Sequence, residues 1–431
     1  MHPLLRMVSR KAGLQASSLK GNPMKPPSVY GLTFFVCLAE ILGISSIANF
    51  SALLPTFQDE WRLSHTAAGW INAAYYGGYM ILVPLLVSVT DRMDARKIMG
   101  VGAILGVVAA LGYALFASGF WSALALRFLA GIGLAAVYMP GLKVVSDNTE
   151  GILQSRFVSF YTASFSIGAS LSYFLSGEIN AMVGWRWAFA ASAVTTAVSV
   201  AIIVMYIPAA KVIRGKRGPL FSDFGVVIRS RQTMAYILSY TVHMWELFSL
   251  RSWVVAFLAF SIRMQPAGAF AWSPTQIASI VGLIGLPASI SGNELSRKFG
   301  RRRVVAIVMV GSAGLGSVLG FTAECPYWLV VNLVILYGIT VTGDSASLTA
   351  GAVASAPEGL RGTTLAVHST LGFGAAFFGP LCIGVVLDMF GGGLLAWGMA
   401  FLAMAAGTLL GPLFLYCLGT KPPPRKSGGK G

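Results

Sequence analysis

The sequence predicts an all-α integral membrane protein of twelve transmembrane helices, arranged as two pseudo-symmetric six-helix bundles. Three observations carry this. The 431 residues are 56% hydrophobic and only 11% charged, more apolar surface than a soluble domain of this size can bury, so the solvent must be lipid. Apolar runs long enough to cross a bilayer, about 20 residues each, can be placed at about twelve sites. Two short basic clusters also recur at matching places, Asp91-Arg92-Met93-Asp94-Ala95-Arg96-Lys97 and Arg297-Lys298-Phe299-Gly300-Arg301-Arg302-Arg303. Each follows the second apolar run of a half and leaves only a tight hairpin before the third. Duplication of this kind is the mark of a carrier built from repeats.

The elements follow in order. Residues 1–29 form a polar, basic tail, too long for the n-region of a cleavable signal, and the run after it is too long for an h-region. The first bundle, 30–207, holds spans at 30–54, 68–89, 98–117, 120–142, 157–181 and 187–207. Span 1 carries Glu40, span 2 carries Tyr75, Tyr76 and Tyr79, and span 4 carries Arg127 ahead of Gly131, Gly133 and Ala135. Small residues of this kind let helices approach closely in lipid. Residues 208–233 are rich in Lys, Arg and Gly and read as a cytoplasmic linker. Within it Phe221, Phe224, Val227 and Ile228 recur at helical spacing beside Arg229 and Arg231. That suits either a short interfacial helix on an anionic leaflet or an unstructured basic tether. The second bundle, 234–418, holds spans at 234–260, 275–295, 304–323, 327–349, 363–387 and 394–418, and residues 419–431 are a basic tail. Trp121, Trp185, Trp187, Tyr327 and Trp328 fall near span ends, as an aromatic belt would.

The formal net charge of +16 raises the question of a nucleic-acid partner, and its distribution answers it. With both termini cytoplasmic, only Arg62, Arg186 and Arg263 of the 31 Lys and Arg fall outside, and Arg127 and Arg251 lie within spans. All the others are cytoplasmic. This is the positive-inside bias that sets orientation, so the expected partner is the bilayer of the cell's inner or plasma membrane and not nucleic acid. The four cysteines show no metal-ligand spacing, and no disulfide is expected. His2, His65, His243 and His368 are scattered, which leaves neither a metal set nor an enzyme's nucleophile and base, and no cofactor is expected. No Gly-x-x-x-x-Gly-Lys-Ser/Thr loop supports an ATP-driven pump.

The whole chain resembles the major facilitator superfamily of secondary transporters. That family's loop between helices 2 and 3 reads approximately Gly-x-Leu-x-Asp-Arg-x-Gly-Arg-Arg/Lys. Here Asp91, Arg92 and Arg96 match it, while both glycine positions, the Leu and the first closing Arg do not. The second copy keeps Leu295, Gly300, Arg301 and Arg302 but has Arg297 where the acid would be. Arg127-Phe-Leu-Ala-Gly131-Ile-Gly133 resembles the family's Arg-x-x-x-Gly-x-Gly pattern, whose Arg is associated with proton coupling. The helix 5 Gly-Pro motif of drug/proton antiporters is missing. The resemblance implies a gating role for Asp91, Arg92, Arg96, Gly300, Arg301 and Arg302. It also implies that the first and fourth helices of each half line the central cavity.

Most ionisable side chains at bilayer depth then fall on cavity-lining helices: Glu40, Arg127, His243, Glu246, Arg251 and Asp344. Such charges are costly in lipid and by default suggest function. A desolvated carboxylate escapes by taking up a proton or by pairing, and an arginine stays charged and can hold an anion or a carboxylate. Glu40 paired with Arg127 or Arg251 would instead be structural. His368 and the span 2 tyrosines read as packing, and Glu178 as a solvated group near the outer end. The leading reading is a monomeric, proton-coupled secondary transporter of a small polar or anionic solute, working by alternating access. A proton-independent facilitator or a drug/metabolite exporter is the alternative within transport, and a non-transporting membrane sensor or assembly protein with a carrier fold the alternative outside it.

Overall fold

In a computed structural model, described for residues 28–89, 93–209, 222–266 and 272–419, the protein is all-helical among the described residues. In chain order the helices are α1 Val29–Gly43, α2 Asn49–Ala52, α3 Leu54–Trp61, α4 His65–Val89, α5 Ala95–Phe116, α6 Phe120–Asp147, α7 Gly151–Val183 and α8 Trp185–Tyr206. Then come α9 Ser222–Arg229, α10 Arg231–Arg263, α11 Pro274–Phe299, α12 Arg301–Leu319, α13 Tyr327–Gly343, α14 Ser345–Ala354, α15 Arg361–Met389, α16 Leu394–Thr408 and α17 Leu410–Cys417. Nine helical segments among the described residues are long and apolar enough to cross a membrane: α5, α6, α8, α10, α11, α12 with its terminal 3-10 turn, α13 with α14, α15, and α16 with α17. The broken helix α1–α3 and the continuous α4 and α7 occupy the places expected for spans 1, 2 and 5.

Helices of the first half pack on one another, α4 and α5 against α6, α5 and α1 against α8, and α1 against α7. Those of the second half do the same, α10 against α15, α11 against α13, and α12 against α16. The halves meet where α4 lies along α15, α7 along α11, and α2 and α3 touch α10. We call the face where α1 begins and α17 ends the tail face, and the opposite one the far face. The inter-half contacts run from the far face, where Gln276 meets Glu178, to mid-bundle, where Tyr79 stacks on Phe373 with ring centroids 3.8 Å apart.

Close backbone approach sets the spacing inside each half. A Cβ at Gly131 would stand 1.8 Å from the Tyr75 carbonyl, and one at Gly292 would stand 1.8 Å from the Gly343 carbonyl. These are the α6–α4 and α11–α13 contacts, the same pair of helices in each half but at different depths, and only glycine fits.

The aromatic-belt expectation divides. Trp121, Trp187 and Trp328 are exposed on the helix bundle, but Trp185 is 7% exposed and Tyr327 is fully buried. Trp185 packs edge-on to Phe57 and Trp61 and donates to Glu60, so it anchors α3 instead of a headgroup layer. In the linker a helix forms, α9. Its Val227 is buried among Tyr236, Ile237 and Val367 of the second half, while Val226 and Ile228 are exposed. Phe221 lies outside the described residues.

Candidate functional site

Span 1 is interrupted between Gly43 and Asn49, which frees backbone groups that a continuous helix would pair. In lipid those groups need partners from the protein itself. Arg127 of α6 supplies two, donating Nη1 to the Ser46 carbonyl at 3.2 Å and Nη2 to the Ile47 carbonyl at 3.1 Å, with its guanidinium 4.2 Å over the Tyr75 ring. Ser192 donates to the Ser45 carbonyl at 3.2 Å, and the Ala48 amide donates to Ser172 at 3.1 Å. Asn49 closes the network, accepting from Ser172 and Ser176 and donating to Ser192. Arg127 is thereby occupied by main-chain oxygens, and no ion pair joins it to Glu40.

Glu40 accepts a hydrogen bond from Ser164 of α7 through one oxygen, while its other oxygen is buried with no hydrogen-bond partner among the described residues. Glu246 is likewise held by hydroxyls, its Oε1 accepting from Ser312 of α12 at 2.9 Å and Tyr337 of α13 at 2.8 Å. That places it inside the second half, away from Arg251.

His243 and Asp344 come together. His243 Nδ1 lies 2.8 Å from Asp344 Oδ1, with both side chains buried, a close contact without hydrogen-bond alignment. Asp344 sits at the junction between α13 and α14, so this contact joins α10 to the break in span 10. Beside it Tyr240 stacks on His243 at 5.6 Å and on His368 at 3.6 Å, and the His368 ring nitrogen is 3.3 Å from the Thr349 hydroxyl. His368, read from sequence as a packing residue, thus packs directly against this pair's aromatic neighbour.

Arg251 differs from the other candidates at membrane depth. Its guanidinium makes no hydrogen bond or ion pair with the described residues and lies near the Phe248 and Phe165 rings, at 5.3 and 6.0 Å. It lines an inter-half cavity of about 20 Å³ with Ser170 and Tyr173 of α7, Val254 of α10, Gly282 of α11 and Thr342 of α13. A space this small holds about one water.

Of the gating candidates, Asp91 and Arg92 lie outside the described residues. Arg96 donates to the Val204 carbonyl, tying the start of α5 to the end of α8. The Arg302 guanidinium lies against Gly419, packing the start of α12 on the chain just past α17, the equivalent place in the second half. Arg301 has a buried Nε with no partner among the described residues. Gly300 adopts φ of 97°, a left-handed conformation that favours glycine, between α11 and α12. Glu178, expected to be solvated, is partly buried and accepts from Gln276 at 2.8 Å. Residues that the sequence reading missed, Asn49, Ser164, Ser172, Tyr173, Ser312 and Tyr337, are single polar groups in apolar runs. Their hydroxyl and amide groups serve buried acceptors on neighbouring helices.

The profile of the Major Facilitator Superfamily matches residues 36–380 and 255–431. Protein spinster homolog 3 of Danio rerio is 25% identical over 276 residues, covering 62% of this chain and 53% of that protein. The sphingosine-1-phosphate transporter SPNS2 of Xenopus tropicalis is 21% identical over 215 residues, covering 48% and 42%. The matches thus span about half the length of these curated relatives. The crystal structure of the nucleoside transporter NupG has the same fold, with a TM-score of 0.71 at 12% identity, covering 91% of this chain and 99% of that one. The matched proteins whose names state an activity are transporters and not enzymes. A multi-pass helical bundle, duplicated loop clusters and a profile match across most of its length agree: the chain belongs to the Major Facilitator Superfamily of membrane transporters.

Proposed function

We propose that this chain is a proton-coupled secondary transporter of a small anion with an apolar body, working by alternating access. It would act as a monomer with twelve spans in two six-helix bundles, in the cell membrane, with both termini cytoplasmic. The single observation that carries the substrate reading is Arg251: a permanently charged group without a carboxylate partner among the described residues, facing a cavity otherwise lined by aliphatic, aromatic and hydroxyl groups. An anion on Arg251 would satisfy the charge, and the Phe248, Phe165 and Tyr173 surfaces suit an apolar body. That one relative is named as a transporter of sphingosine-1-phosphate, an amphipathic anion, supports the same class.

The coupling proton is assigned to the His243–Asp344 pair. Thr342, which lines the cavity, is two residues from Asp344, and Arg251 shares α10 with His243. Losing the charge on either partner removes the attraction that holds α10 to the junction of α13 and α14, and occupancy of the cavity alters the same two elements.

The test is uptake into proteoliposomes under an imposed pH gradient of either sign, using radiolabelled sphingosine-1-phosphate, a short dicarboxylate and a neutral nucleoside. Uptake of the amphipathic anion, cut about tenfold or more by Arg251→Ala and in part retained by Arg251→Lys, is expected from loss of one charge-assisted contact. Uptake of the nucleoside alone, or uptake indifferent to Arg251→Ala, overturns the anion reading.

A further inference from the structure

At the far face, a helix of one half is capped by a side chain of the other. The first amides of any helix lack intrahelical acceptors, and a residue just before the helix ordinarily supplies one. In α4, Ser64 does this for the Ala67 amide at 3.1 Å. The two amides ahead of it are served by Asp388, in the last turn of α15. Its Oδ1 accepts from the His65 amide at 3.0 Å and its Oδ2 from the Thr66 amide at 2.7 Å. Oδ1 is also 2.9 Å from His65 Nδ1. The helices touch beneath this cap, where a Cβ at Gly384 would stand 2.3 Å from the His65 carbonyl. The Trp253 indole lies against the His65 ring and donates to the Pro380 carbonyl at 3.0 Å, backing the contact from α10.

The other inter-half seam repeats the arrangement. Helix α11 opens with a capping box between Ser273 and Gln276, and the Gln276 amide group donates to Glu178, near the far end of α7, at 2.8 Å. In span order α4 and α11 are the second spans of their halves, and α15 and α7 the fifth. Each half therefore places an acid from its fifth span on the first turn of the other half's second span.

We propose that Asp388 and Glu178 are paired latches that hold the far face closed and release in every transport cycle. The carboxylate of Asp388 meets the partial positive charge of the α4 N-terminus through two charge-assisted hydrogen bonds, which orient as well as attract. The latch is also breakable. Asp388 is about one-third exposed, at 31%, so water replaces the lost contacts when α4 and α15 separate. A fully buried pair would lack that exchange and would resist opening.

The experiment reads far-face opening directly. In a chain with Cys37, Cys325, Cys382 and Cys417 replaced by alanine, Val254→Cys places one thiol in the cavity beneath the latches. A membrane-impermeant maleimide is applied from the far face. Labelling is expected to be slow in this background and to rise about tenfold with Asp388→Ala, the population shift for loss of one charged hydrogen-bond pair. Glu178→Gln should give a smaller rise, and the two together more than either alone. Glu294→Gln, which breaks an exposed pair with Arg297 on the tail face, should leave the rate unchanged. If Asp388→Ala does not reach the membrane, Asp388→Asn is read in its place, since it keeps the shape and loses the charge. Labelling unmoved by both latch variants, or raised as much by Glu294→Gln, overturns the proposal.

Discussion

Arg127 and Arg251 are alike in sequence, each a lone arginine in an apolar run, and opposite in the folded chain. Arg127 has two carbonyl partners in the break of span 1, while Arg251 faces a cavity with none among the described residues. Arg127→Lys is therefore expected to strand one carbonyl, lowering stability by about 1–3 kcal/mol, and thermal melting in detergent measures it. Arg251→Lys should leave the melting curve nearly unchanged and act on uptake alone. Sequence placed both residues at membrane depth and flagged them as costly, but the sorting depends on which main-chain oxygens come within 3.2 Å, and that comes from the bend of another helix. The acids show the same limit. Glu40 and Glu246 find hydroxyls on α7, α12 and α13, which no spacing within span 1 or span 7 could reveal. Asp344 finds His243, and here a pH experiment separates the roles. Asp344→Asn is expected to abolish accumulation driven by a pH gradient while exchange of labelled for unlabelled solute persists, because only the coupling charge is removed. If gradient-driven accumulation survives with an unchanged pH profile, the pair is structural and the proton lies elsewhere.

Among the elements, helix positions were readable because twenty apolar residues have one use in a bilayer, whereas their interruptions were not. Span 1 breaks between Gly43 and Asn49 and span 10 at Asp344, both inside continuous apolar runs, and neither break is marked by a proline within it. The breaks persist because side chains on α6, α7 and α8 pair the freed backbone of the first, and α10 holds Asp344 at the second. The glycine pattern was legible as a sign of close packing, though not which helix each glycine faces. Gly131→Ala drives a Cβ to 1.8 Å from the Tyr75 carbonyl, where backbone meets backbone and neither side can yield. It is expected to cost about 1–3 kcal/mol as overpacking and to lower the melting temperature. Gly100→Ala, in α5 with nothing within 4 Å of the added atom, should be neutral or slightly stabilising. Equal effects from both would mean that helix propensity, not packing, governs these sites.

For the molecule as a whole, the fold was legible from hydropathy and the repeated loop because both are global constraints. Each apolar run must be covered by lipid or another helix, and a duplicated half must meet its twin about an axis. What hydropathy cannot rank is burial among aromatic residues at span ends, so Trp185 and Tyr327 joined the interior while Trp121 and Trp187 remained on the surface. Orientation rests on a different physical quantity, the cost of moving Lys and Arg across the bilayer during insertion. That cost falls on one face here: Arg229, Arg231, Arg297, Arg301, Arg302, Arg303 and Arg361 all lie at the tail-face ends of their helices, with Arg62, Arg186 and Arg263 at the far-face ends. The tail face is therefore expected to be cytoplasmic. In cells expressing a chain without native cysteines, a thiol at Lys426→Cys should resist an impermeant maleimide until the membrane is permeabilised. A thiol at Glu324→Cys, in the exposed far-face turn between α12 and α13, should label at once. The pair of positions makes the reading self-checking, because an odd number of spans between them predicts opposite behaviour. Both labelling from outside, or neither, would mean that the chain crosses the membrane a different number of times between α13 and its end, and the reverse pattern would turn the whole carrier over.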